Sequence, residues 1–470
     1  IVFIPVLYSV FDGGIDRLKR LFTSRRAAAA ASVALLVALW YPVTARAREK
    51  LSVDLARSVE MALDHSRKAG MRQDEAKAAG FRRKQAIGRL LPRLSLSARY
   101  SRVSHVEPGT LDLPFQLPDG SSPDPVQLGE AVDNQYALRL AVEQPLFTGL
   151  ALYRGLEAAE HAERLARQRL RAQKADVRLL TQQAYLNLIE ARQMARVAAL
   201  SEQTLADHLR QVELLHAAGR ATDLEVSRVQ NRLANARVSV VQSRGAVDVA
   251  RLAFTSLIGV PSTTELTLED VLDGAPLRDS PPAGELVAEA IASRPEFAVA
   301  QQAAEVAKAR AEAAGSALWP RLYVRFGYNY DRPNQRYFPV QDRFHGSWDL
   351  SLILSWTAWD WGVTYYGAKA ARAEASAATR NIDQVQDAVR LDVERRRREY
   401  LSHRERVSAL PQSVSTAERA LERAKILFVE GRITSLDLLD AETELARARS
   451  GLVQALADAR TTWARVERAV

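Results

Sequence analysis

The sequence predicts a mixed α+β protein that consists mostly of long α-helices and contains two copies of one structural repeat. Three observations predict this fold. Four short segments alternate apolar and polar residues as β-strands do, long stretches lack glycine and proline, and the second half of the chain repeats motifs of the first. The chain has 470 residues, of which 47% are hydrophobic, 22 are glycine and 18 are proline. This composition favours helix over an all-β or a disordered chain.

The N-terminal residues 1–47 are predicted to be an export signal that is removed. Basic residues precede an apolar run from Ala27 to Trp40, and the small residues Ala45 and Ala47 follow it, as a signal-peptidase site requires. The apolar run is about 14 residues long, which is short for a membrane-spanning helix of roughly 20. A retained anchor helix is the alternative interpretation.

The chain repeats one pattern in two halves. The segment HAAGRATDLEVSRVQNRLANAR at 216–237 matches VEGRITSLDLLDAETELARAR at 429–449. Further upstream, LLPRLSLSARY at 90–100 matches LWPRLYVRFGY at 318–328. A repeat this long indicates two similar halves of one architecture rather than the units of a solenoid. We expect a first half at 48–259, a connector at 260–295 and a second half at 296–470.

Each half is predicted to run in the order helix, strand, loop, strand, long helix, turn, helix. No glycine or proline occurs from Leu156 to Ala218, and a helix over this stretch would be about 95 Å long at 1.5 Å per residue. The counterpart from Ala368 to Glu430 is interrupted only by Pro411, where we expect a kink or a break.

The helices that follow the two turns carry apolar or small residues at alternating spacings of three and four. This spacing is typical of helices that pack along their length with a supercoil. An ordinary antiparallel coiled coil explains the pattern equally well, so it does not by itself indicate a function. The predicted stripes are Val226, Val229, Leu233, Ala236, Val240, Ser243 and Val247 in the first half, and Leu438, Ala441, Leu445, Ala448, Leu452, Ala455 and Ala459 in the second.

Four segments alternate regularly enough to predict β-strands, at 94–100, 136–142, 322–330 and 348–356. Any one of them could be half of a soluble sheet. Three features favour a membrane: the segments are close to the 9–11 residues or so of a tilted spanning strand, aromatic residues close the apolar rows, and the opposite faces carry charges that suit a wet lumen. The predicted aromatic girdle comprises Tyr100, Tyr136, Tyr328, Trp348 and Trp356.

Four strands cannot stand alone in a bilayer. Each unpaired backbone group in hydrocarbon costs several kcal/mol, so a spanning sheet must close into a barrel. Two copies of the chain would supply eight strands and three copies twelve, and only the larger ring leaves an obvious aqueous passage. We therefore expect a trimer, with the polar loops at 104–134 and 331–347 outside the cell.

The composition argues against several other classes of protein. The formal net charge is +9, and the leader contributes four of these positive charges, so the basic balance is weak support for nucleic-acid binding. No nucleic-acid partner is expected, and the run RRRR at 395–398 is interpreted as a solvated helix face. The absence of cysteine excludes disulfides and thiolate chemistry. The histidines are scattered and no catalytic or nucleotide-binding motif occurs, so neither an enzyme, a cofactor nor a metal site is predicted.

Several motifs resemble those of the TolC-like outer-membrane efflux channels. LPRLSLSARYS and WPRLYVRFGYNYD enter the outward strands, VEQPLFTG and LSWTAWDWG leave the inward strands, and ELVAEAIASRPE opens the second half. The match covers about 49–468, and its specificity lies in the order and duplication of the motifs. The sequence departs from the family where WDWG replaces paired glycines and where LDHSRKAG lacks the usual Asn-Pro.

The resemblance implies a homotrimer in the outer membrane. Each chain would give four strands to a 12-stranded β-barrel that continues as an α-helical barrel through the periplasm, with a small mixed equatorial region around 260–295 and the chain ends. Such a channel is the passive exit duct of a tripartite efflux or type I secretion system. It receives substrates from an inner-membrane pump through a periplasmic adaptor (membrane fusion protein), and its barrel contacts outer-membrane lipid.

The two helical turns are the predicted periplasmic tips. Gly219 and Gly431 are suited to the positive φ of a chain reversal, and Thr222 and Thr434 are suited to cap the outgoing helices. By the resemblance, the adaptor contacts lie at these turns. The candidate contact residues are Gly219, Arg220, Thr222, Leu224, Gly431, Arg432, Thr434 and Leu436.

Acidic residues beside the second turn form a candidate pore constriction. Asp437 and Asp440 are spaced to share one helix face, and Glu225 corresponds to Asp437 in the first half. Three subunits would bring these carboxylates to the narrow end of the tunnel, where they would attract cations. By the resemblance, these positions match the acidic constriction of the closed channel. The alternative is that they are ordinary helix-start acids stabilised by the helix dipole.

A soluble periplasmic coiled-coil adaptor or scaffold is the main alternative for the whole chain. Such a protein accounts for the export signal and the long helices. It does not account for four aromatic-ended strands that recur at matched places in the two halves.

Overall fold

The computed structural model describes residues 50–111, 114–115, 124, 126–269, 272 and 276–470. The predicted leader at 1–47 lies outside the described residues, as do parts of the loop at 104–134 and of the connector at 260–295. The chain divides into two compact units, one of residues 1–54 with 260–269 and one of residues 55–259 with 270–470.

The first half of the chain contains helices α1 to α4 and strands β1 to β5. In chain order these are β1 (Lys50–Val53), α1 (Leu55–His65), α2 (Arg67–Gly88), β2 (Arg93–Arg102), β3 (Thr110–Leu111), β4 (Val126–Gln127), β5 (Asn134–Phe147), α3 (Ala151–Ala217) and α4 (Asp223–Ile258).

The rest of the chain contains the remaining helices and strands in a matching order. The predicted connector contains β6 (Glu265–Leu268) and α5 (Ala283–Ser293), and they are followed by α6 (Pro295–Gly315), a 3₁₀ turn (Ser316–Leu318), β7 (Arg321–Arg332), β8 (His345–Ser355), α7 (Val363–Val429) and α8 (Ser435–Ala469). The predicted order of helix, strand, loop, strand, long helix, turn and helix is therefore present in both halves.

The smaller unit contains a two-stranded parallel sheet. Strand β1 pairs with β6 in the register Lys50 to Glu265 through Val53 to Leu268. This pairing joins the beginning of the described chain to the segment that follows α4.

The larger unit contains a four-stranded antiparallel sheet with the strand order β2-β5-β7-β8. All four predicted strands are present, and each is longer than predicted at one end or both, although β8 also ends at Ser355 rather than at 356. Within this sheet β5 is central and has 14 residues, with a register shift between Pro145 and Phe147. Strands β2 and β8 lie at the two edges of the sheet.

The long helices pair as two antiparallel hairpins, α3 with α4 and α7 with α8. The predicted heptad stripes form the buried faces. Val229, Leu233 and Val240 are buried on α4, and Leu438 and Leu445 are buried on α8. The period of the apolar residues thus identified the packing face of both helices.

We expected a kink or a break at Pro411, and the break is wrong. Helix α7 runs without interruption through the proline and has 67 residues, the same number as α3. A proline removes one backbone hydrogen bond and crowds the preceding turn, but the neighbouring turns and the packing against α8 sustain the helix across it. None of the helices in the described part of the chain is long and apolar enough to cross a membrane.

A second core lies where α5 packs against α7 and the end of α8. Its buried residues include Leu286, Ala290, Val393, Tyr400 and Val466. The Tyr400 hydroxyl donates a hydrogen bond of 2.6 Å to the carbonyl of Arg278, which ties the connector to α7. Burial alone raises the pKa of the nearby Asp392 carboxyl, but hydrogen bonds from Arg396 and Arg294 outweigh it and hold that pKa below its usual range.

Candidate functional site

The two turns between the long helices have the same backbone geometry. Gly219 and Gly431 each have a φ of +72°, a conformation that costs a residue with a side chain roughly 1–2 kcal/mol. After the first turn the Arg220 amide donates to the Leu215 carbonyl at 2.8 Å, and after the second the Arg432 amide donates to the Leu427 carbonyl at 2.8 Å. Both helices therefore end in a Schellman-type reversal, as the glycines predicted.

Each outgoing helix begins with a reciprocal cap. The Thr222 amide donates to the Glu225 carboxylate at 2.7 Å, and the Glu225 amide donates back to the Thr222 hydroxyl at 3.3 Å. Thr434 and Asp437 repeat this arrangement at 2.9 Å and 3.3 Å. The predicted caps are confirmed, and they satisfy backbone donors that would otherwise lack a partner.

The acidic residues proposed for the constriction occupy two kinds of position. Glu225 and Asp437 are the third helical residues of the two capping boxes, and hydrogen bonds from the Thr434 hydroxyl and amide lower the pKa of Asp437. Asp440 is exposed one turn further along α8 and takes no part in the cap. Capping and a constriction are compatible, because a capped carboxylate keeps its charge.

Next to the turns, one continuous apolar core joins the two helical hairpins. Its buried members come from all four long helices. This packing makes the two turns of one chain a single structural unit, and a Cβ added to Gly431 in the second turn would lie 3.4 Å from the Arg220 guanidinium of the first. The core residues are Leu205, Val212, Val229, Leu233, Leu421, Phe428, Leu438, Leu439 and Leu445.

Sequence reasoning missed a buried polar network within this core. The His208 side chain is 1% exposed, and its Nδ1 lies 3.1 Å from a carboxylate oxygen of Glu442. Its Nε2 lies 3.1 Å from the Ser435 hydroxyl, and its ring meets the edge of Phe428. The network links α3 to α8, and no sequence period places residues 208 and 442 together.

Apolar side chains remain exposed around the turns. Leu224 is 57% exposed and Leu436 is 48% exposed, although each follows a capped helix start that the core below stabilises. Arg220 and Arg432 are exposed beside them. The predicted contact residues therefore form an accessible surface with both apolar and cationic groups.

The four-stranded sheet separates apolar from polar side chains across all its strands. The register places Leu96 opposite Leu140, Leu140 opposite Tyr328, and Tyr328 opposite Trp348, so one apolar face extends over the whole sheet. This face is uncovered, and about two-thirds of each of its leucines on the edge strands is exposed. These edge-strand leucines are Leu94, Leu96, Leu350, Leu352 and Leu354.

Aromatic residues border this apolar face at both ends. At one end of β2 and β5, Tyr100 lies opposite Tyr136 with ring centres 5.2 Å apart. Towards the same side of the sheet, Tyr328 lies opposite Trp348, in the row of Leu96 and Leu140. At the other end the Trp356 indole donates to the Leu318 carbonyl at 3.2 Å. Three tryptophans absent from the predicted girdle are also exposed at this second end, and they lie outside the alternating segments: Trp319, Trp359 and Trp361.

The opposite face of the sheet is polar and partly enclosed. Arg139 lies opposite Asn329, and Arg325 lies opposite both Glu143 and Ser351. Ile353 is an apolar exception on this face and lies opposite Tyr323. No group of three or more His, Asp or Glu side chains suited to a metal ion occurs in the described residues.

The sequence profile of one protein family, described as "Outer membrane efflux protein", matches residues 59–260 and 286–470. Among characterised proteins, the chain is 24% identical over 303 residues to the cobalt-zinc-cadmium resistance protein CzcC of Cupriavidus metallidurans, which covers 63% of this chain and 67% of that protein. It is 24% identical over 346 residues to the alkaline protease secretion protein AprF of Pseudomonas aeruginosa, with coverage of 71% and 69%.

Solved structures of outer-membrane channels share the fold. The outer-membrane channel OprN superposes with a TM-score of 0.73 at 22% identity, over 88% of this chain and 89% of that chain. The outer membrane protein VceC from Vibrio cholerae superposes with a TM-score of 0.72 at 17% identity, over 88% and 95%.

Proposed function

Because the chain belongs to the outer membrane efflux protein family, we propose that three copies of it form one exit duct fed by a periplasmic adaptor and an inner-membrane pump. The protein is an outer-membrane efflux channel that extends into the periplasm, and it is a transport protein rather than an enzyme. The homotrimer, the lipid contact and the roles of individual residues are the proposed part.

We infer the trimer from the four-stranded sheet, which has one uncovered apolar face and two unpaired edges. Hydrocarbon does not tolerate the unpaired backbone groups of the β2 and β8 edges. Pairing of β8 of one copy with β2 of the next removes both edges, and three copies of four strands close a ring of twelve. The apolar face then meets outer-membrane lipid, with Tyr100, Tyr136, Tyr328, Trp348 and Trp356 as its aromatic girdle.

The long helices supply the periplasmic part of the duct. Helices of 67 residues reach about 100 Å at 1.5 Å per residue. We assign them to an α-helical barrel formed by three pairs of hairpins. The two halves at 48–259 and 296–470 act as two structural repeats, joined by the equatorial connector at 260–295.

The helical turns are assigned to the adaptor. Exposed apolar side chains are suited to a protein partner, and Leu224 and Leu436 are exposed at the starts of two helices whose other faces pack into the core. Gly219, Arg220, Thr222, Gly431, Arg432 and Thr434 complete this adaptor contact surface.

The constriction is assigned to Asp437 and Asp440, with Glu225 beside them. Asp437 keeps its negative charge because its cap stabilises the carboxylate, and Asp440 is exposed on the same helix. Rings of carboxylates attract cations and select for them.

A soluble periplasmic scaffold accounts poorly for the same features. Membership of the efflux family and a bare apolar face across four strands both favour the membrane channel. The names of the related proteins refer to different substrates. CzcC is named for resistance to cobalt, zinc and cadmium, AprF for secretion of alkaline protease, and a third relative, OpmQ of Pseudomonas aeruginosa, for export of pyoverdine. Both efflux and type I secretion therefore fit the proposed duct.

Membrane fractionation and conductance test the proposal together. We expect the protein in the outer-membrane fraction as a trimer that dissociates on heating in detergent, and we expect it to conduct ions in planar bilayers. A stable, detergent-free monomer in the periplasmic fraction would contradict the channel and support the scaffold.

A further inference from the structure

A cavity of about 590 Å³ lies on the polar face of the four-stranded sheet. Guanidinium groups dominate its charged lining, and they come from three strands and from the loop after β7. The charged residues of the lining include Arg99, Arg139, Arg325, Arg336, Asp331 and Asp349.

The loop that follows β7 covers part of this face and is held there by a buried asparagine. Asn334 is 3% exposed, and its amide group donates to the His345 carbonyl and to the Ser347 hydroxyl, each at 3.0 Å. Its side-chain oxygen accepts a hydrogen bond from the Arg336 amide at 3.0 Å. Arg336 then donates to the Trp348 carbonyl at 2.8 Å. These hydrogen bonds hold the loop against the sheet, so the loop forms one wall of the cavity.

The sheet leaves space for the Asp349 carboxylate at the bottom of the cavity. Gly327 lies opposite Asp349, and a Cβ at position 327 would come within 3.0 Å of the Asp349 carboxylate. That carboxylate receives hydrogen bonds from Asn329 at 3.3 Å and from Arg336 at 3.4 Å. Asp349 is thus engaged by its neighbours and does not neutralise the other guanidinium groups.

Positive charge remains in excess on this face. Asp331 lies 3.9 Å from Arg139, whereas neither Arg99 nor Arg325 has an ion-pair partner among the residues that the structure describes. Five guanidinium groups line the cavity, against two carboxylates. The guanidinium groups belong to Arg99, Arg139, Arg325, Arg336 and Arg332, the last of which pairs with Asp342, and the carboxylates belong to Asp331 and Asp349.

We propose that this cavity is an anion-binding site that takes small polyvalent anions with phosphate or carboxylate groups. Guanidinium groups bind such oxyanions through paired, charge-assisted hydrogen bonds, and serine and asparagine donors in the same lining supply further contacts. The proposal rests on the proposed duct, in which this face lines the lumen of the barrel. The β-barrel then attracts anions, because arginine-lined pores select for them, whereas the carboxylates at the turns attract cations.

Direct binding tests the site on the full chain in detergent. Titration calorimetry with sodium tripolyphosphate should detect binding to the unaltered protein. Arg99→Gln with Arg139→Gln should weaken that binding by about tenfold or more, because two charge-assisted contacts are removed. The matched control is Arg102→Gln with Arg57→Gln, which removes two exposed arginines from outside the cavity and should leave binding unchanged. Equal binding by both double variants, or no binding at all, would overturn the proposal.

The side from which tripolyphosphate blocks current separates this inference from the proposed function. In oriented bilayers, block should be stronger from the extracellular side and should weaken in the Arg99→Gln, Arg139→Gln variant. Conductance with equal block of the two proteins would overturn the anion site and leave the channel intact. Absence of any conductance would remove the channel and the lumenal site together.

Discussion

At the scale of single residues, the two aspartates near the second turn differ in what they contribute. Both supply negative charge, but only one of them also stabilises the start of its helix. Asp437 holds the start of α8 through Thr434, while Asp440 is exposed and makes no contribution to that cap. Asp440 is therefore the residue whose change should alter the electric field at the proposed constriction with little effect on folding. Asp437 contributes to both.

Neutralising both residues should change how cations act on the channel. We expect Asp437→Asn with Asp440→Asn to weaken block by multivalent cations added from the periplasmic side, because the carboxylates that attract them are gone. In the unaltered protein the lowered pKa of Asp437 keeps its carboxylate charged, so block should persist when the pH falls from about 7 to about 5, above the ordinary pKa of about 3.9 for Asp.

The measurement is planar-bilayer conductance with hexamminecobalt as the blocking ion. Asp279→Asn is a suitable control, because this exposed carboxylate pairs with Arg404 far from the turns. Unaltered block in the double variant would remove both aspartates from the constriction.

The buried network of His208 and Glu442 makes a second prediction at the residue scale. Replacing His208 by leucine leaves the buried Glu442 carboxylate without this partner, and replacing Glu442 by leucine leaves the His208 Nδ1 without one. A buried polar group left unpaired costs about 1–3 kcal/mol. The double replacement removes both of these groups, and the Ser435 hydroxyl loses its histidine partner equally in the His208 single variant and in the double variant. The effect of the double replacement should therefore be clearly smaller than the sum of the two single effects. Thermal unfolding of the four proteins gives the coupling.

The exposed pair of Arg57 and Glu60 provides the comparison, since both side chains are 66% exposed. Exposed pairs contribute little, and the same cycle there should be close to additive. Additive effects at His208 and Glu442 would mean that the two side chains do not stabilise each other.

At the scale of the element, α7 is the informative case because a proline lies inside an unbroken helix of 67 residues. Pro411 lacks the amide that would bond to the Val407 carbonyl, and such a residue costs about 3 kcal/mol in a helix interior. Pro411→Ala should therefore raise the unfolding temperature. Ala420→Pro, at an exposed position of the same helix, should lower it by the same mechanism. A lower unfolding temperature in Pro411→Ala would show that the proline is needed for the path of the helix.

The elements also show what the sequence could predict. Val229, Leu233, Leu438 and Leu445 were predicted to be buried because a helical or strand period records which face packs. The same logic found the strands and their apolar face. Local rules likewise identified the turns, since a glycine with positive φ and a threonine cap act within a few residues.

Contacts between distant segments could not be predicted in this way. His208 meets Glu442 only because α3 packs beside α8, and neither residue interrupts a pattern that signals the contact. Asn334 lies in an irregular loop, and its burial depends on how that loop folds over the sheet. The continuity of α7 at Pro411 likewise depends on packing that overrides the local preference.

At the scale of the whole molecule, the proposed channel depends on the sheet meeting lipid on one face and water on the other. Leu352 and Ser351 are neighbours on β8 that point to opposite faces, since Leu352 lies opposite Val324 and Ser351 lies opposite Arg325. A lysine at the two positions therefore tests the two faces with the same added charge. Lysine on the lipid face of a barrel costs about 2–4 kcal/mol near the bilayer midplane and little on the lumen face.

We expect Leu352→Lys to reduce the amount of heat-modifiable trimer in outer membranes, because three copies each place one charge in lipid and the costs add. Ser351→Lys should assemble normally, since its charge remains in water, although it adds to the positive charge of the lumen. Quantified trimer in outer-membrane fractions distinguishes the variants. If Leu352→Lys assembled as well as Ser351→Lys, the apolar face could not be in contact with lipid, and the twelve-stranded ring would have to be abandoned.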